Sequence, residues 1–510
     1  MGRAKDWEME QEVRGWWSVP GKYVCAECFE EDFLREFVQN HAKVSKCDYC
    51  GSTAEELTGD DNALVAAPLD SVIEIIAEGL RAEWNDANAE NIPYESAEGG
   101  YQANTKDTYD LVWDYVCPSN DTIAQAIINA LPDYVWVQKD YWSLDEGQAL
   151  MYGWKDFCDL VKHKNRYMFH LGPRRPFKAK PAAVQASSSV QQPQEVSDHL
   201  GTANANNGTT ALPGPVSSEP AQHPDLNTVN LTPESVAELI GIDFDEMIDE
   251  RQEGVSASRM LDAIGDAIDE VGLVKEMPAH TRLFRGRTGP SGKPYRTARK
   301  LGPPPERKAV ANRMSPAGIP MFYGAVDEYG AIAETVVGRL PKGKILNVGV
   351  FETIENIHVL DLTNVPAIPS LFSPTRHLRP ILRFLRSFVN DLSKSIKKDD
   401  RVHTEYVPTQ IVTEYFRHSF HMDSGPLVRG ILYPSSRAKG YTACVLFFTR
   451  EECGAPDTTE FAEGKKQWLR FVPRSANVVR RKPRKPKNPP TQIFPPHLQP
   501  SSAAQMTLGI

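Results

Sequence analysis

Apolar residues recur at helical spacing through the first third of the chain. In PLDSVIEIIAEGLRAEW, Val72, Ile75, Ile76 and Leu80 line one face, which predicts an amphipathic helix. NDTIAQAIINAL repeats the pattern behind Asn120 or Asp121 as N-cap. The aromatic run YVWVQKDYW then leads into EGQALMYGWKDFCDLVKHKNRYMFH, again helical in texture. Further on, TPESVAELI offers Thr232 as N-cap and Pro233 in the first turn. ASRMLDAIGDAIDEVGLV predicts one more amphipathic helix.

From about residue 278 the period changes. TRLFRGR, PMFYGAV, KILNVGVFE, IHVLDL, GILYPSS and TACVLFFT read as strands, with few helices between them. The longest helix there is PILRFLRSFVNDLSKSI, with Pro380 in its first turn. Arg376, Arg379, Arg383 and Arg386 recur at helical spacing around it. They predict a solvated face on a helix packed against the core, with phosphate or partner binding as the sharper alternative. This portion is α+β.

Two stretches lack periodicity. Residues 183–229 are rich in Ala, Ser, Gln, Asn, Gly and Pro and nearly free of large apolar side chains. Such a segment buries too little to offset its ordering entropy and predicts a flexible linker. The last fifty residues contain RRKPRKPKNPP, with six basic residues at positions 480–487, which predicts a disordered basic tail. The expected organisation is therefore a CxxC segment at 1–60, a mainly helical domain at 61–182 and a linker at 183–229. A helical lead-in at 230–277, an α+β domain at 278–455 and a tail at 456–510 follow.

With 510 residues the chain exceeds one ordinary core, which agrees with several domains. Its 57 basic and 67 acidic residues leave a net charge of −10, so no global attraction to nucleic acid or anionic membrane follows. The 480–487 run is the local exception. No apolar run is long enough to cross a bilayer, and MGRAKDWEMEQEVRGWW has neither a signal-peptide pattern nor the Ser or Thr that myristoylation favours. Of eight cysteines, four fall into two CxxC pairs and four are scattered, which suggests a reducing compartment. The expectation is a soluble, cytoplasmic protein; self-association stays open.

Three constellations carry chemistry. The first is CAEC, with Cys25 and Cys28, and CDYC, with Cys47 and Cys50, eighteen residues apart. Two such pairs complete a tetrahedral zinc site with no open ligand position, so the metal would be structural. His41 lies between them and could replace one thiolate.

The second is KHKNRYMFH, where Arg166 and His170 stand four apart and share a helical face near His163. An Arg and a His converging in a helical domain resemble the pair of HEPN ribonucleases, though here three residues separate them, where that family usually has four to six. The plainer reading is a basic helix end placed near the negative end of the dipole.

The third runs in order along the α+β portion. Arg285 closes the strand LFRGR and Arg313 precedes a Pro/Gly loop. Tyr323 sits on a strand in YGA and Glu334 on the helix that follows. YVPTQIVTEYF supplies Gln410 and Glu414, and GILYPSS supplies Ser435 and Ser436. Over roughly residues 278–450 this succession resembles the RES domain. The CxxC pairs and the helical part are similar to the HEPN-type domain attached to some large RES proteins. The resemblance implies an ADP-ribosyltransferase-like fold and a toxin that destroys NAD by hydrolysis or phosphorolysis. In that reading Arg285 and Arg313 hold the pyrophosphate by bidentate donors, and Tyr323 stacks on the nicotinamide cation. Glu334 stabilises positive charge on the ribose, Ser435 or Ser436 bonds the nicotinamide side, and Gln410 and Glu414 give structural support.

One departure stands out. Family members often carry an Asn shortly before the final strand, where this chain has Ala443 in TACVLFF. The expected function is cleavage of the nicotinamide N-glycosidic bond of NAD, with the N-terminal part regulating it and an antitoxin or regulatory protein as partner. The alternatives are an HEPN-type protein acting on RNA through Arg166 and His170, and a non-catalytic binder of NAD or ADP-ribose.

Overall fold

The computed structural model describes residues 11, 13–97, 99–163, 257–336, 338–394, 402–420, 427–454, 466–480, 483–486 and 492–494. Within them the N-terminal part begins at an antiparallel pair, β1 (Tyr23–Cys25) with β2 (Ala66–Pro68). Helix α1 (Asp32–Asn40) starts where the Glu31 carboxylate accepts from the Leu34 N–H at 2.7 Å. Helix α2 (Leu69–Glu83) buries Leu69, Val72, Ile73, Ile76 and Leu80, so its buried stripe takes in Ile73 and leaves Ile75 half-buried. Asn120 caps α3 (Asp121–Ala130), accepting from the Ile123 N–H at 3.2 Å, as expected. These elements share one core with Trp16, Phe29, Trp84 and Trp136.

The C-terminal part is built on one sheet of ten strands. They are β3 (Val274–Met277), β4 (Arg282–Pro290), β5 (Phe322–Ala325), β6 (Lys344–Thr353), β7 (Ile357–Asp361), β8 (Val428–Pro434), β9 (Thr442–Leu446), β10 (Cys453–Gly454), β11 (Leu469–Phe471) and β12 (Asn477–Val479). Their order is β10-β11-β6-β4-β5-β9-β8-β7-β3, and β12 also pairs with β6. The β7/β8 and β10/β11 pairs are parallel and the others antiparallel. Between β4 and β5 the register has one pair, Phe284 with Ala325, so the sheet parts there. All six strands expected from the alternating pattern are present. Residues 466–480, expected in the tail, instead supply β11 and β12. Their apolar residues Leu469 and Phe471 are buried against Phe351 and Phe448.

Helices cover one face of the sheet: α4 (Glu146–His163), α5 (Ala257–Val271), α7 (Arg379–Ser393) and α8 (Val407–His418). Between α5 and α7 in the chain, the short α6 (Glu328–Thr335) crosses β4 closely. It can do so because Gly286 has no side chain: a Cβ there would lie 2.4 Å from the Thr335 hydroxyl.

The expected separation of an N-terminal domain from the sheet domain does not hold for α4. Leu150, Trp154, Phe157 and Val161 of α4 lie in the same core as Ile381, Phe388 and Phe416, and the Trp154 indole N–H donates to Asp391 at 3.1 Å. A second seam joins the halves. Leu371 and Phe372 insert into the N-terminal core at Gly79 of α2. There Arg379 and Arg383 reach Glu83 at 2.6 and 3.0 Å, and Arg376 lies 3.6 Å from Glu78. Arg386 donates to the Pro366 carbonyl. Arg376, Arg379 and Arg383 thus join the start of α7 and the turn before it to α2, whose carboxylates meet them at the seam, while Arg386 stays exposed as a solvated face predicts. The linker at 183–229, Thr232 and Pro233 lie outside the described residues. Among the described residues no helix is long and apolar enough to cross a membrane.

Candidate active site

The four cysteines of the CxxC pairs come together with all sulfurs within 4.8 Å of one another. Sγ–Sγ distances are 3.8 Å for Cys25–Cys28, 3.4 Å for Cys25–Cys50 and 3.6 Å for Cys28–Cys47. Zn–S bonds of about 2.3 Å would set tetrahedral sulfurs roughly 3.8 Å apart, so the cage has the size of a zinc ion. The main-chain N–H groups of Cys25 and Tyr49 donate to the Cys47 sulfur at 3.3 and 3.4 Å, which favours a thiolate there. The His41 ring instead stacks on Phe37 and bonds its carbonyl, so it is not a ligand in this arrangement. Arg166 and His170 lie outside the described residues.

The second cluster forms between α6 and the turn that follows β8. Asp327 caps α6 by accepting from the Gly330 N–H at 2.9 Å, and the helix then carries Glu334 as its penultimate residue. Ser435, at the end of β8, donates its hydroxyl to Glu334 Oε1 at 2.6 Å. The same hydroxyl accepts the N–H groups of Arg437 and Ala438 at 3.3 and 3.0 Å, which closes the turn. Ala438 and Tyr441 then pack on Ala333, so the turn is fixed to the helix bearing Glu334. Arg437 brings its Nε to 4.0 Å from Glu334 Oε2. Ser436, in contrast, is exposed and accepts from Arg313 at 3.2 Å.

Tyr323 lies beside this group. Its hydroxyl bonds Ser315 at 2.8 Å, and burial pushes its phenol up, with that hydrogen bond and the charges of Arg285 and Arg313 opposing the rise. It therefore stays neutral, and its ring packs against the core beneath the helices. Burial pushes Tyr433 well up too, and the charge of Glu334 adds to the shift while that of Arg313 opposes it. Both charges thus act at one place on the sheet. The loop carrying Arg313 is held from α8: Thr409 donates to the Arg313 carbonyl, and Gln410 donates to the carbonyls of Asn312 and Ser315 at 2.8 and 3.2 Å. Gln410 is thus structural support, as expected, and Glu414 pairs with Arg417 and His418 on the same helix.

Arg285 does not join this group. Its guanidinium is 7% exposed, donates to the Tyr323 carbonyl at 2.7 Å and lies 5.1 Å from the Phe322 ring centroid. Phe322 and Tyr323 are consecutive on a strand, so the guanidinium sits on the side away from the Tyr323 ring. Its Nε has no hydrogen-bond partner among the described residues. Burial, then the neighbouring Arg287, pushes it down to about 10. The spacing of the motif could not reveal this, because a one-residue step on a strand changes the face. Ala443, in place of the expected Asn, lies opposite Tyr433 on β8 and Ala325 on β5 and is fully buried.

Sequence reading missed Ser315, Tyr433, Thr409 and Arg437. Only Arg437 had a signal, its place two residues after Ser435.

A ten-stranded sheet with four helices on one face, a carboxylate–serine pair between a short helix and a strand end, and a separate cysteine cage define a two-part protein. Comparison with known families agrees. Residues 283–469 match the family model described as RES domain, and residues 40–174 match HEPN/RES N-terminal domain 1. The chain is a RES-domain protein with an N-terminal domain of the HEPN/RES kind. No curated protein and no solved structure matches it.

Proposed function

We propose that the protein cleaves the N-glycosidic bond between nicotinamide and ribose in NAD, as a toxin or defence effector with an ADP-ribosyltransferase-like catalytic fold. The observation that carries this reading is the Glu334–Ser435 hydrogen bond at 2.6 Å, with Arg437 4.0 Å from the same carboxylate and Arg313 bonded to the neighbouring Ser436. Bond cleavage sends the C1′–N electron pair to the nicotinamide ring and leaves positive charge on the ribose. A carboxylate already oriented by Ser435 stabilises that charge without reorganising. Water or inorganic phosphate then bonds C1′; with water, the proton released passes to solvent by way of Glu334. The neutral Tyr323 ring suits a flat cation, and Arg313 suits a phosphate oxygen. Arg285, bonded to the Tyr323 main chain, positions that strand.

The cysteine cage holds a structural zinc in this reading. The N-terminal half regulates the site: α4 packs against α8, and α8 holds the Arg313 loop through Thr409 and Gln410.

The test is NAD loss by the purified full chain, with and without phosphate, beside Glu334→Gln. The full chain is needed because α4 lies in the core of the sheet domain. The expected outcome is a loss of rate in the variant of about a hundredfold or more. Dependence on phosphate would mark phosphorolysis. A wild-type chain that binds NAD but never consumes it would sink the catalytic reading.

A further inference from the structure

Two cations suit a pyrophosphate, yet of the pair expected from the sequence Arg285 is buried and only Arg313 reaches the turn after Ser435. We infer that Arg437 is the second cation of the site, binding the phosphate-bearing part of a dinucleotide; this rests on the reading given above. The geometry points to it in three ways. First, Arg437 is held in place from both sides: its N–H is bonded by Ser435, and the adjacent Ala438 is packed on Ala333 of α6. Its position relative to Glu334 is therefore built into the fold.

Second, its guanidinium approaches Glu334 Oε2 only to 4.0 Å, which is an attraction without a hydrogen bond. A guanidinium has five N–H donors in a planar fork, and this contact engages none of them. Third, the side chain is 27% exposed beside a carboxylate that is 26% exposed. A surface ion pair of that kind contributes little to stability, so stability alone gives no reason for its placement. A positive charge beside Glu334 also offsets the repulsion that an anionic substrate would meet from the carboxylate. Arg313 bonds the exposed Ser436 hydroxyl, and Arg437 is the next residue in the chain, so the same turn brings two guanidinium groups whose donors suit two phosphate groups.

The experiment uses the full chain and three proteins: wild type, Arg437→Ala and Arg437→Lys. It compares turnover of NAD with turnover of nicotinamide riboside, which lacks phosphates, and measures ADP-ribose binding by calorimetry. Loss of a charge-assisted pair predicts about a tenfold to hundredfold rise in KM for NAD and in Kd for ADP-ribose. The values for nicotinamide riboside should stay near those of wild type. Lys should restore part of the affinity, because it keeps the charge and loses the fork. A fall in kcat for both substrates with unchanged ADP-ribose binding would overturn the inference and leave Arg437 as a residue that only orients Glu334. Unchanged constants in a wild type that consumes NAD would also overturn it while leaving the enzymatic reading intact. A wild type that neither binds ADP-ribose nor consumes NAD would overturn both.

Discussion

The cysteine cage and the candidate site around Glu334 are built in opposite ways. The cage draws its four side chains from residues 25–50, and each CxxC pair is local enough that spacing nearly dictates its geometry. The site draws on Arg313, Tyr323, Glu334, Ser435 and Arg437, which come together through a strand, a helix and two loops up to 124 positions apart. A cage of this kind tolerates a loose surrounding fold, since a bound ion imposes the geometry. The site has no such organiser, so the sheet and helices must hold each side chain. What this teaches is that a four-thiol motif can be trusted residue by residue, whereas a series spread over several elements must be checked for the face on which each member lands.

The largest expected effect comes from breaking the cage. Cys28→Ser should lose the metal and destabilise the N-terminal half by on the order of 5 kcal/mol. Metal analysis should find one zinc per wild-type chain and none in the variant, and thermal unfolding should show an early transition; a variant that melts like wild type would remove the structural role. The seam between the two regions comes next. Phe372, buried in the N-terminal core against Gly79, belongs to the sheet domain's chain segment. Phe372→Ala should cost about 3–5 kcal/mol and split unfolding into two steps. If the N-terminal half restrains the site, NAD loss should rise in the same variant; an unchanged rate would separate the seam from regulation.

The smallest effect lies at the edge of the sheet. Burial alone would raise the Glu352 carboxyl, but hydrogen bonds from Arg282 and Arg470 hold it below its ordinary value. Its stabilisation is therefore present above the usual carboxylate value of about 4.3 and is lost as pH falls through the lower folded value. Both arginines are largely exposed, so the contribution should stay under about 1 kcal/mol. Acid titration of wild type against Glu352→Gln should show the wild type losing this increment below that pH. Parallel curves would show that β11 is held by its apolar residues alone.

Local rules carried far. Alternation placed all six expected strands, helical spacing placed α2, α5 and α7, and Asn120 capped α3 as its side chain suggests. These are properties of a few adjacent residues, decided by backbone geometry and by which face must leave water. The placement of Tyr323 on a strand, Glu334 on the helix after it and Ser435 at a strand end was legible for a related reason, since each belongs to or adjoins an element that the pattern identifies.

Other features depend on partners distant in sequence. The arginines of α7 look solvated until Glu78 and Glu83 meet them. Residues 469–471 look like tail until β6 offers them an edge and a core. Arg285 looks like a phosphate ligand until the register puts its guanidinium beside Phe322, and Arg437 gains its place only when Ala438 docks on Ala333. By itself the sequence determined the elements, the cysteine cage and the order of the motif, because those follow from neighbours along the chain. Only the tertiary structure decided which cations reach the site and which surfaces are seams, because burial and charge pairing depend on what folds against each side chain.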